Sequence, residues 1–320
     1  MKYSIIIPCF NEAHVLSKTL DSIQRVMVNR SDVEILLMDN GSTDGSQALA
    51  LGCGAIVIET PNVRISALRN LGAKSARGRY LLFLDADIAV ATDWLNRLDQ
   101  YTDPDNQADT ADVVGFVDDV PATAPWYAKI WGLRASARRH RLMEIDSLPG
   151  RNIFVDRPWF EKVNGFSETL ITGEDKDFVM RLKKAGAKVL SDPSVDMTHL
   201  GYERTFQEWV RKEYWRQHSH VALIKGQGMS LRLLRFPIIA MSHVLLALII
   251  LGSVITSQTG IALGLLVVSL VPSLLLSIKS SVSRFPVGRM LQFTLLYWLR
   301  FHVAGWSVVI ELIERKSIEA

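Results

Sequence analysis

The sequence predicts an α/β protein in which a mostly parallel sheet domain is followed by a helical transmembrane hairpin. Through residues 4–84, short apolar runs alternate with amphipathic helical patterns. This alternation is typical of βαβ units, in which helices cover both faces of a parallel sheet. Further along the chain, the stretch from Phe236 to Ile278 contains no Asp, Glu, Lys or Arg, as membrane-spanning segments do.

Four strands are predicted in the N-terminal part of the chain, and a helical pattern follows each of the first three. The strands span Ser4–Pro8, Val33–Met38, Ala55–Ile58 and Tyr80–Leu84, and the helices span Val15–Met27, Ser46–Leu51 and Ile65–Ala76. Polar clusters follow the first, second and fourth strands. Because ligands bind open α/β sheets beyond the carboxyl ends of the strands, these clusters mark the expected site.

Two carboxylates, Asp85 and Asp87, follow the fourth strand one residue apart. Carboxylates at the end of a buried strand cost free energy unless something pairs with them. Because alternate side chains of a strand face the same way, Asp85 and Asp87 can point at one ligand. Two hard oxygen ligands beside an open sheet edge suit Mg²⁺ or Mn²⁺ carrying a diphosphate. By itself, this pattern also fits a solvated turn.

Composition places few limits on the protein. Its 320 residues allow one or two domains, and the net charge of +3 argues for no particular partner, so nucleic acid is not expected. Two cysteines, Cys9 and Cys53, form no disulfide framework. The N-terminal apolar run is short and contains Pro8, which argues against a signal peptide, so the N-terminal α/β part is expected in the cytosol.

The uncharged stretch divides into two segments, Pro237–Thr256 and Ile261–Ile278, each about long enough to cross a bilayer. Basic residues flank the pair at Arg232, Arg235, Lys279, Arg284 and Arg289. The positive-inside rule then places both flanks on the cytosolic side of the membrane. The membrane itself is expected to be the inner or plasma membrane. We predict a catalytic domain over residues 1–230 and a membrane region over residues 231–320. A buried helical hairpin of a soluble protein is the alternative.

A third apolar stretch, Leu291–Ile313, carries Arg300 and His302 near its middle. An arginine at mid-span is costly in lipid. We therefore favour an interfacial helix, or one tilted along the hairpin, over a third membrane span. An interfacial helix keeps the C-terminus in the cytosol.

Five motifs follow one another in the order and spacing found in family 2 glycosyltransferases, which the sequence resembles over about residues 3–215. They are Ile6–Glu12, Asp39–Ser46, Arg69–Gly72 leading to Gly78–Tyr80, Asp85–Asp87, and Gly173–Asp175. The resemblance implies a GT-A fold, which is Rossmann-like, and transfer of a sugar from a nucleotide-sugar donor. It also implies that Asp39 accepts a hydrogen bond from the base, usually uracil, which favours a UDP-sugar. The other residues it places at the nucleotide are Pro8, Phe10, Glu12, Arg69 and Asp85.

The acidic pair Glu174–Asp175 begins an amphipathic pattern that ends near Gly186. Acids at a helix N-terminus also stabilise the helix dipole, so the pair has a purely structural interpretation. The resemblance implies a catalytic role, in which Asp175 is the base that takes a proton from the acceptor hydroxyl. The sugar is then transferred in a single direct displacement, which inverts the anomeric configuration. The resemblance further implies that His199 joins Asp85 and Asp87 as a ligand of Mn²⁺ or Mg²⁺. A satisfied histidine without a metal is the alternative.

Membrane lipid and a lipid-linked or glycan acceptor are the remaining expected partners. A capping box at Thr205–Glu208 starts a helix that carries Trp209, Tyr214 and Trp215 among basic residues, a composition suited to a membrane interface. Its sequence departs from the Gln-x-x-Arg-Trp motif of processive family members, which favours transfer of a single sugar. A second basic and aromatic segment spans Trp126–Arg141. Two alternatives stay open: a polyprenyl-phosphate sugar synthase, and a catalytically silent membrane scaffold that binds nucleotide.

Overall fold

A computed structural model describes residues 1–106, 110–133, 141–217, 220–228, 230–280 and 287–319. The strands of this part are β1 (Tyr3–Cys9), β2 (Val33–Asp39), β3 (Ile56–Glu59), β4 (Tyr80–Leu84), β5 (Ile88–Ala89), β6 (Val113–Asp119), β7 (Met143–Glu144), β8 (Asn152–Asp156) and β9 (Val189–His199). The helices are α1 (Ala13–Met27), α2 (Ser46–Gly52), α3 (Ile65–Ser75), α4 (Trp94–Thr102), α5 (Trp126–Gly132), α6 (Arg157–Lys162), α7 (Glu174–Lys184), α8 (Phe206–Arg216), α9 (His220–Gln227), α10 (Leu231–Ile255), α11 (Thr259–Ser280) and α12 (Val287–Glu319).

The strands form one mixed sheet in the order β3-β2-β1-β4-β8-β6-β9-β5, with β7 paired to β9. Strands β3, β2, β1 and β4 run parallel, β8 lies antiparallel between β4 and β6, and β6 is parallel to β9. Most paired residues are therefore parallel. The predicted fold class, a mostly parallel sheet followed by long apolar helices, is confirmed.

The register brings several strand ends to one edge of the sheet. Cys9 at the end of β1 is paired with Asp39 at the end of β2, and β4 pairs with β1 in parallel. His199 at the end of β9 pairs with Ile88 of β5, directly after the acidic segment. The carboxyl ends of β1, β2, β4 and β9 therefore meet where the sequence predicts the site.

Apolar residues cover both faces of this sheet, as the alternating side chains of a buried strand require. Ile5 and Ile7 of β1 belong to the cluster that includes residues of α1 and α4, whereas Ile6 belongs to the cluster that includes residues of α3 and α7. Complete burial of such a side chain contributes about 1.5–3 kcal/mol. The sheet is thus a rigid support for the loops at its carboxyl edge.

The chain divides into two compact units, and the second includes α5, α8 and the C-terminal helices. Among the residues that the structure describes, three of its helices are long and apolar enough to cross a membrane: Leu233–Ile255, Thr259–Lys279 and Val287–Ile313, with mean hydropathies of 2.6, 2.5 and 1.3. Gly305 lies so close to α10 that a Cβ there would overlap the Ala240 carbonyl. Small residues at such crossings are typical of packed membrane helices.

The predicted segments Pro237–Thr256 and Ile261–Ile278 lie almost entirely within α10 and α11, and Leu291–Ile313 lies within α12. Whether α12 spans the membrane or lies in its interface stays a prediction, as does the domain boundary after residue 230. Arg134, Arg138 and Arg139 of the predicted basic segment, and Arg284 of the predicted flank, lie outside the described residues.

Candidate active site

Arg69 of α3 connects two of the predicted acids. Its side chain is 2% exposed, and its Nη2 donates to Asp85 Oδ1 at 2.9 Å while Nη1 donates to Glu174 Oε1 at 2.7 Å. Burial raises the pKa of both carboxyl groups, and the guanidinium acts in the opposite direction. A charged group buried this deeply is strongly destabilising when it is unpaired. Loss of any one of these three groups is therefore expected to destabilise the other two.

This bridge joins the end of β4 to the start of α7. Both terminal nitrogens of Arg69 are occupied by acids, so the contacts describe an internal clamp. The expectation that Arg69 contacts the nucleotide stays a prediction. Its neighbour Asn70 fixes the chain before α7, because Asn70 Oδ1 accepts from Phe166 N at 2.9 Å and its Nδ2 donates to Phe166 O at 2.9 Å.

Asp87 lies against the end of β9. His199 Nε2 is 3.3 Å from Asp87 Oδ2, and Leu200 N donates to the Asp87 carbonyl at 2.7 Å. Gly201 packs so tightly that a Cβ there would overlap the Asp87 carboxylate. Two ligand atoms at this separation fit a single divalent cation, whose bonds to oxygen and nitrogen are about 2.0–2.2 Å long.

Within the described ranges, no group of three or more His, Cys, Asp and Glu side chains is placed to hold a metal ion by itself. Mg²⁺ in nucleotide sites takes one or two carboxylates and completes its shell with phosphate oxygens and water. An imidazole beside a carboxylate also suits Mn²⁺. Asp87 and His199 therefore fit a cation that arrives with a diphosphate.

Asp39 ends β2 with its side chain fully buried. Its Oδ2 accepts from Gly41 N at 3.0 Å, Ser42 N at 2.9 Å and Gln47 Nε2 at 2.8 Å. Burial raises the pKa of this carboxyl group, but the hydrogen bonds outweigh it and the net pKa is lowered. Among the residues that the structure places, nothing donates to the buried Oδ1. An ionised carboxylate with one unused oxygen is an acceptor for the N–H of a ligand.

The loops after β1 and β2 are tied together beside Asp39. Asn11, with a left-handed φ of 56°, accepts from Thr43 N through its Oδ1 at 2.8 Å. Asp44 accepts from Ser46 N, in the first residue of α2, at 3.1 Å. Of the predicted nucleoside contacts, Pro8 is buried within β1, Glu12 is half-buried before α1, and Phe10 is 55% exposed.

Asp175, the predicted base, is half-buried in the first turn of α7. Its Oδ2 accepts from Gly150 N at 2.9 Å and its Oδ1 accepts from Lys176 N at 2.7 Å. Both bonds come from the backbone, so they fix the direction of the carboxylate. It lies next to Glu174, whose pKa is raised by burial and further by Asp175.

Sequence reasoning missed three residues at this edge: Asp118, Gly150 and Arg151. Arg151 donates through Nε and Nη2 to the Asp118 carboxylate at 2.9 and 2.7 Å, and its carbonyl accepts from Asp85 N at 3.0 Å. One sequence signal was available, since Asp118 follows an apolar run over residues 113–117, as Asp39 and Asp85 follow theirs.

Comparison with known proteins identifies the family. The family model described as Glycosyl transferase family 2 matches residues 4–163, half of the chain. The chain belongs to glycosyl transferase family 2. The predicted family and enzyme class are thereby confirmed. Glycosyltransferase AglE of Haloferax volcanii is 29% identical over 226 residues, which cover 66% of this chain and 70% of AglE.

A second relative and two solved structures extend this result. The pre-mycofactocin glycosyltransferase of Mycobacterium tuberculosis is 22% identical over 66% of this glycosyltransferase, which spans 45% of that relative's length. The mannosyltransferase PcManGT of Pyrobaculum calidifontis, solved with GDP-Man and Mn²⁺, aligns with a TM-score of 0.61 over 95% of this chain and 87% of its own, at 18% identity. Residues 1–349 of S. aureus TarS with UDP-GlcNAc align at 0.52 over 69% and 67%, at 16% identity. These likenesses confirm the predicted GT-A fold.

Proposed function

We propose that this glycosyltransferase is an inverting, metal-dependent enzyme that moves a sugar from a nucleotide sugar to an acceptor, lipid-linked in the favoured case, at the cytosolic face of a membrane. The Arg69 bridge carries the proposal. It joins Asp85, one of the three residues that would hold the cation, to Glu174, beside the base Asp175. Displacement at the anomeric carbon needs the cation site and the base on opposite sides of that carbon, held in fixed geometry.

In this mechanism the acceptor hydroxyl oxygen attacks the anomeric carbon while the bond from that carbon to the diphosphate oxygen breaks. Asp175 takes the hydroxyl proton, and the nucleoside diphosphate leaves with the electron pair. Asp87 and His199, together with Asp85, would hold the cation, which when bound offsets the charge that develops on the leaving diphosphate. Gly150 keeps the Asp175 carboxylate oriented during the proton transfer.

The donor side rests on Asp39. Its unused, buried Oδ1 suits an N–H on the edge of a base, such as that of uracil. Structural neighbours bind GDP-Man and UDP-GlcNAc, which supports a nucleotide sugar as donor. A UDP-sugar is favoured here, with Pro8, Phe10 and Glu12 forming the rest of the nucleoside pocket.

Nucleotide binding is expected to weaken by about 10- to 10²-fold in Asp39→Asn, the range that corresponds to one hydrogen bond to a charged group. Isothermal titration with UDP and Mn²⁺ measures the change. Glu59→Gln is the matched control, because Glu59 ends the neighbouring strand in register with Asp39 and is exposed. Equal affinity in Asp39→Asn and wild type would remove Asp39 from the nucleotide site.

The activity itself is tested with the purified full chain in lipid nanodiscs. Nucleotide sugars are supplied with Mn²⁺ and with polyprenyl-linked acceptors, and release of nucleoside diphosphate is followed. Release that depends on both the cation and the acceptor is the expected result. If no donor releases nucleoside diphosphate under any cation, the silent scaffold is the better description.

Contacts within the second unit support an interfacial position for α12. Arg300, at the middle of α12, lies 3.0 Å from Glu213 of α8, and its guanidinium lies over the ring of Trp131. The outer side of α8 exposes Arg211 and Trp215. Charged and indole side chains together suit the headgroup region. A helix that packs on α8 at its midpoint is therefore more consistent with an interfacial position than with a third span.

This placement predicts a cytosolic C-terminus. In a chain with Cys53→Ser, Ser257→Cys at the hairpin turn is expected to react with a membrane-impermeant maleimide on intact cells. Ser317→Cys near the C-terminus is expected to react after permeabilisation alone, like a control Asp93→Cys on the catalytic part. Labelling of Ser317→Cys on intact cells would show that α12 crosses the membrane.

A further inference from the structure

We propose that Gly150 is a positioning residue for the transfer reaction. Its backbone N–H sets the direction of Asp175, and its lack of a side chain provides the space in which Arg69 bridges Asp85 and Glu174. This inference rests on the proposed function, since it assigns a role within the same site.

The backbone of this segment contacts both halves of the site. Gly150 N donates to Asp175 Oδ2 at 2.9 Å, and the carbonyl of the following residue, Arg151, accepts from Asp85 N at 3.0 Å. Antiparallel pairing of Leu84 with Asn152 brings the segment opposite the acidic turn. The base Asp175 and the acid Asp85 thus take their positions from the backbone of two adjacent residues, Gly150 and Arg151.

The space above Gly150 is filled by Arg69. A Cβ on Gly150 would lie 2.9 Å from Arg69 Nη2, 3.0 Å from Nη1 and 3.1 Å from Cζ. Ordinary Cβ contacts are longer than 3.4 Å, so alanine requires a shift. The guanidinium is the group that must yield, and it is held by two ion pairs. Gly150 has no left-handed φ, so an alanine there tests space and not backbone strain.

The backbone around Gly150 cannot easily retreat from Arg69. Arg151 is fixed by its two bonds to Asp118 of β6, and the buried Asn152 donates to the Phe116 carbonyl at 3.1 Å. A methyl group at residue 150 therefore displaces the guanidinium. That displacement loosens Asp85 and Glu174 together, and misplacement of reacting groups by about 1 Å costs about 10²-fold in rate.

A double-mutant cycle with Gly150→Ala and Arg69→Lys tests this role. Lysine carries no guanidinium atoms to meet the new methyl group, so Gly150→Ala is expected to have little further effect in the Arg69→Lys chain. In the wild-type background, Gly150→Ala is expected to lower kcat about 10²-fold and to lower the Tm. Gly52→Ala, at a position with no atom within 4 Å of the added Cβ, is the matched control.

Two readouts separate the possible outcomes. Coupling between the two substitutions in both Tm and kcat supports the proposal. Additive effects in Tm would overturn it, because the methyl group would then not act through Arg69, and this readout needs no activity. Normal kcat in Gly150→Ala would also overturn it. A wild-type chain that releases no nucleoside diphosphate would instead overturn the proposed function, and this is seen before any variant is made.

Discussion

Asp175→Asn is expected to lower the rate of sugar transfer by about 10²–10⁴-fold, the usual contribution of a general base, while donor binding is retained. Asparagine keeps one oxygen that can accept the hydrogen bond from Gly150 N, and it gives up the bond from Lys176 N, so the orientation set by Gly150 is retained. What it loses is the ability to take the proton of the acceptor hydroxyl. The loss therefore belongs to kcat and not to the affinity for the donor.

Single-turnover transfer and calorimetric donor binding measure these two quantities separately. Asp177→Asn is the matched control in the same helix, because Asp177 pairs with Arg181 at 2.7 Å and carries no proposed role in transfer. The control is expected to lower the Tm and to leave turnover unchanged. Retained transfer in Asp175→Asn would remove the base and favour the polyprenyl-phosphate sugar synthase, because a phosphate acceptor is already anionic and needs no proton removed.

The parts of the site that follow parallel strands were predictable from the sequence. Asp39 and Asp85 each stand directly after an apolar run, and the carboxyl ends of parallel strands meet at one edge whatever the detailed register. The ends of β1, β2 and β4, the three parallel strands whose carboxyl ends meet at the site, agree with the prediction to within one or two residues. Local pattern and final position agree here because the βαβ unit is itself a local structure.

Gly150 and Arg151 were not predictable by the same route. Their roles arise because β8 inserts antiparallel between β4 and β6, a pairing between distant segments. The sequence Pro149-Gly150-Arg151 has the appearance of an ordinary turn before a short strand. Only the long-range pairing reveals that this turn contacts the acidic segment on one side and α7 on the other.

Arg69 illustrates how packing changes the role of a residue that the sequence identifies. The resemblance places Arg69 at the nucleotide, but Gly72 lets α3 approach the sheet so closely that a Cβ there would overlap the Ile6 side chain. This close contact with the sheet buries Arg69 and places its guanidinium within hydrogen-bond distance of Asp85. Arg300 is a similar case, since its charge is explained by Glu213, which lies far away in the sequence.

Asp87→Ala is expected to abolish most of the dependence of donor binding on the cation. Asp87 and His199 are 3.3 Å apart and provide the protein ligands that best fit the cation, so loss of the carboxylate leaves imidazole and Asp85, which Arg69 already neutralises. Loss of a residue that merely supports a metal ligand costs about 10–10²-fold in affinity, and loss of the ligand itself should cost at least as much.

Calorimetric titration of the nucleotide sugar with and without Mn²⁺ measures this effect. The wild-type chain is expected to bind far more tightly with the cation, and Asp87→Ala is expected to bind with nearly the same low affinity in both conditions. Asp93→Ala is the matched control, because Asp93 is exposed on the same stretch of chain and makes no side-chain cap to α4. If Asp87→Ala kept the full response to Mn²⁺, the cation would have to be held by other groups, and the pairing of Asp87 with His199 would be a structural contact that holds the end of β9.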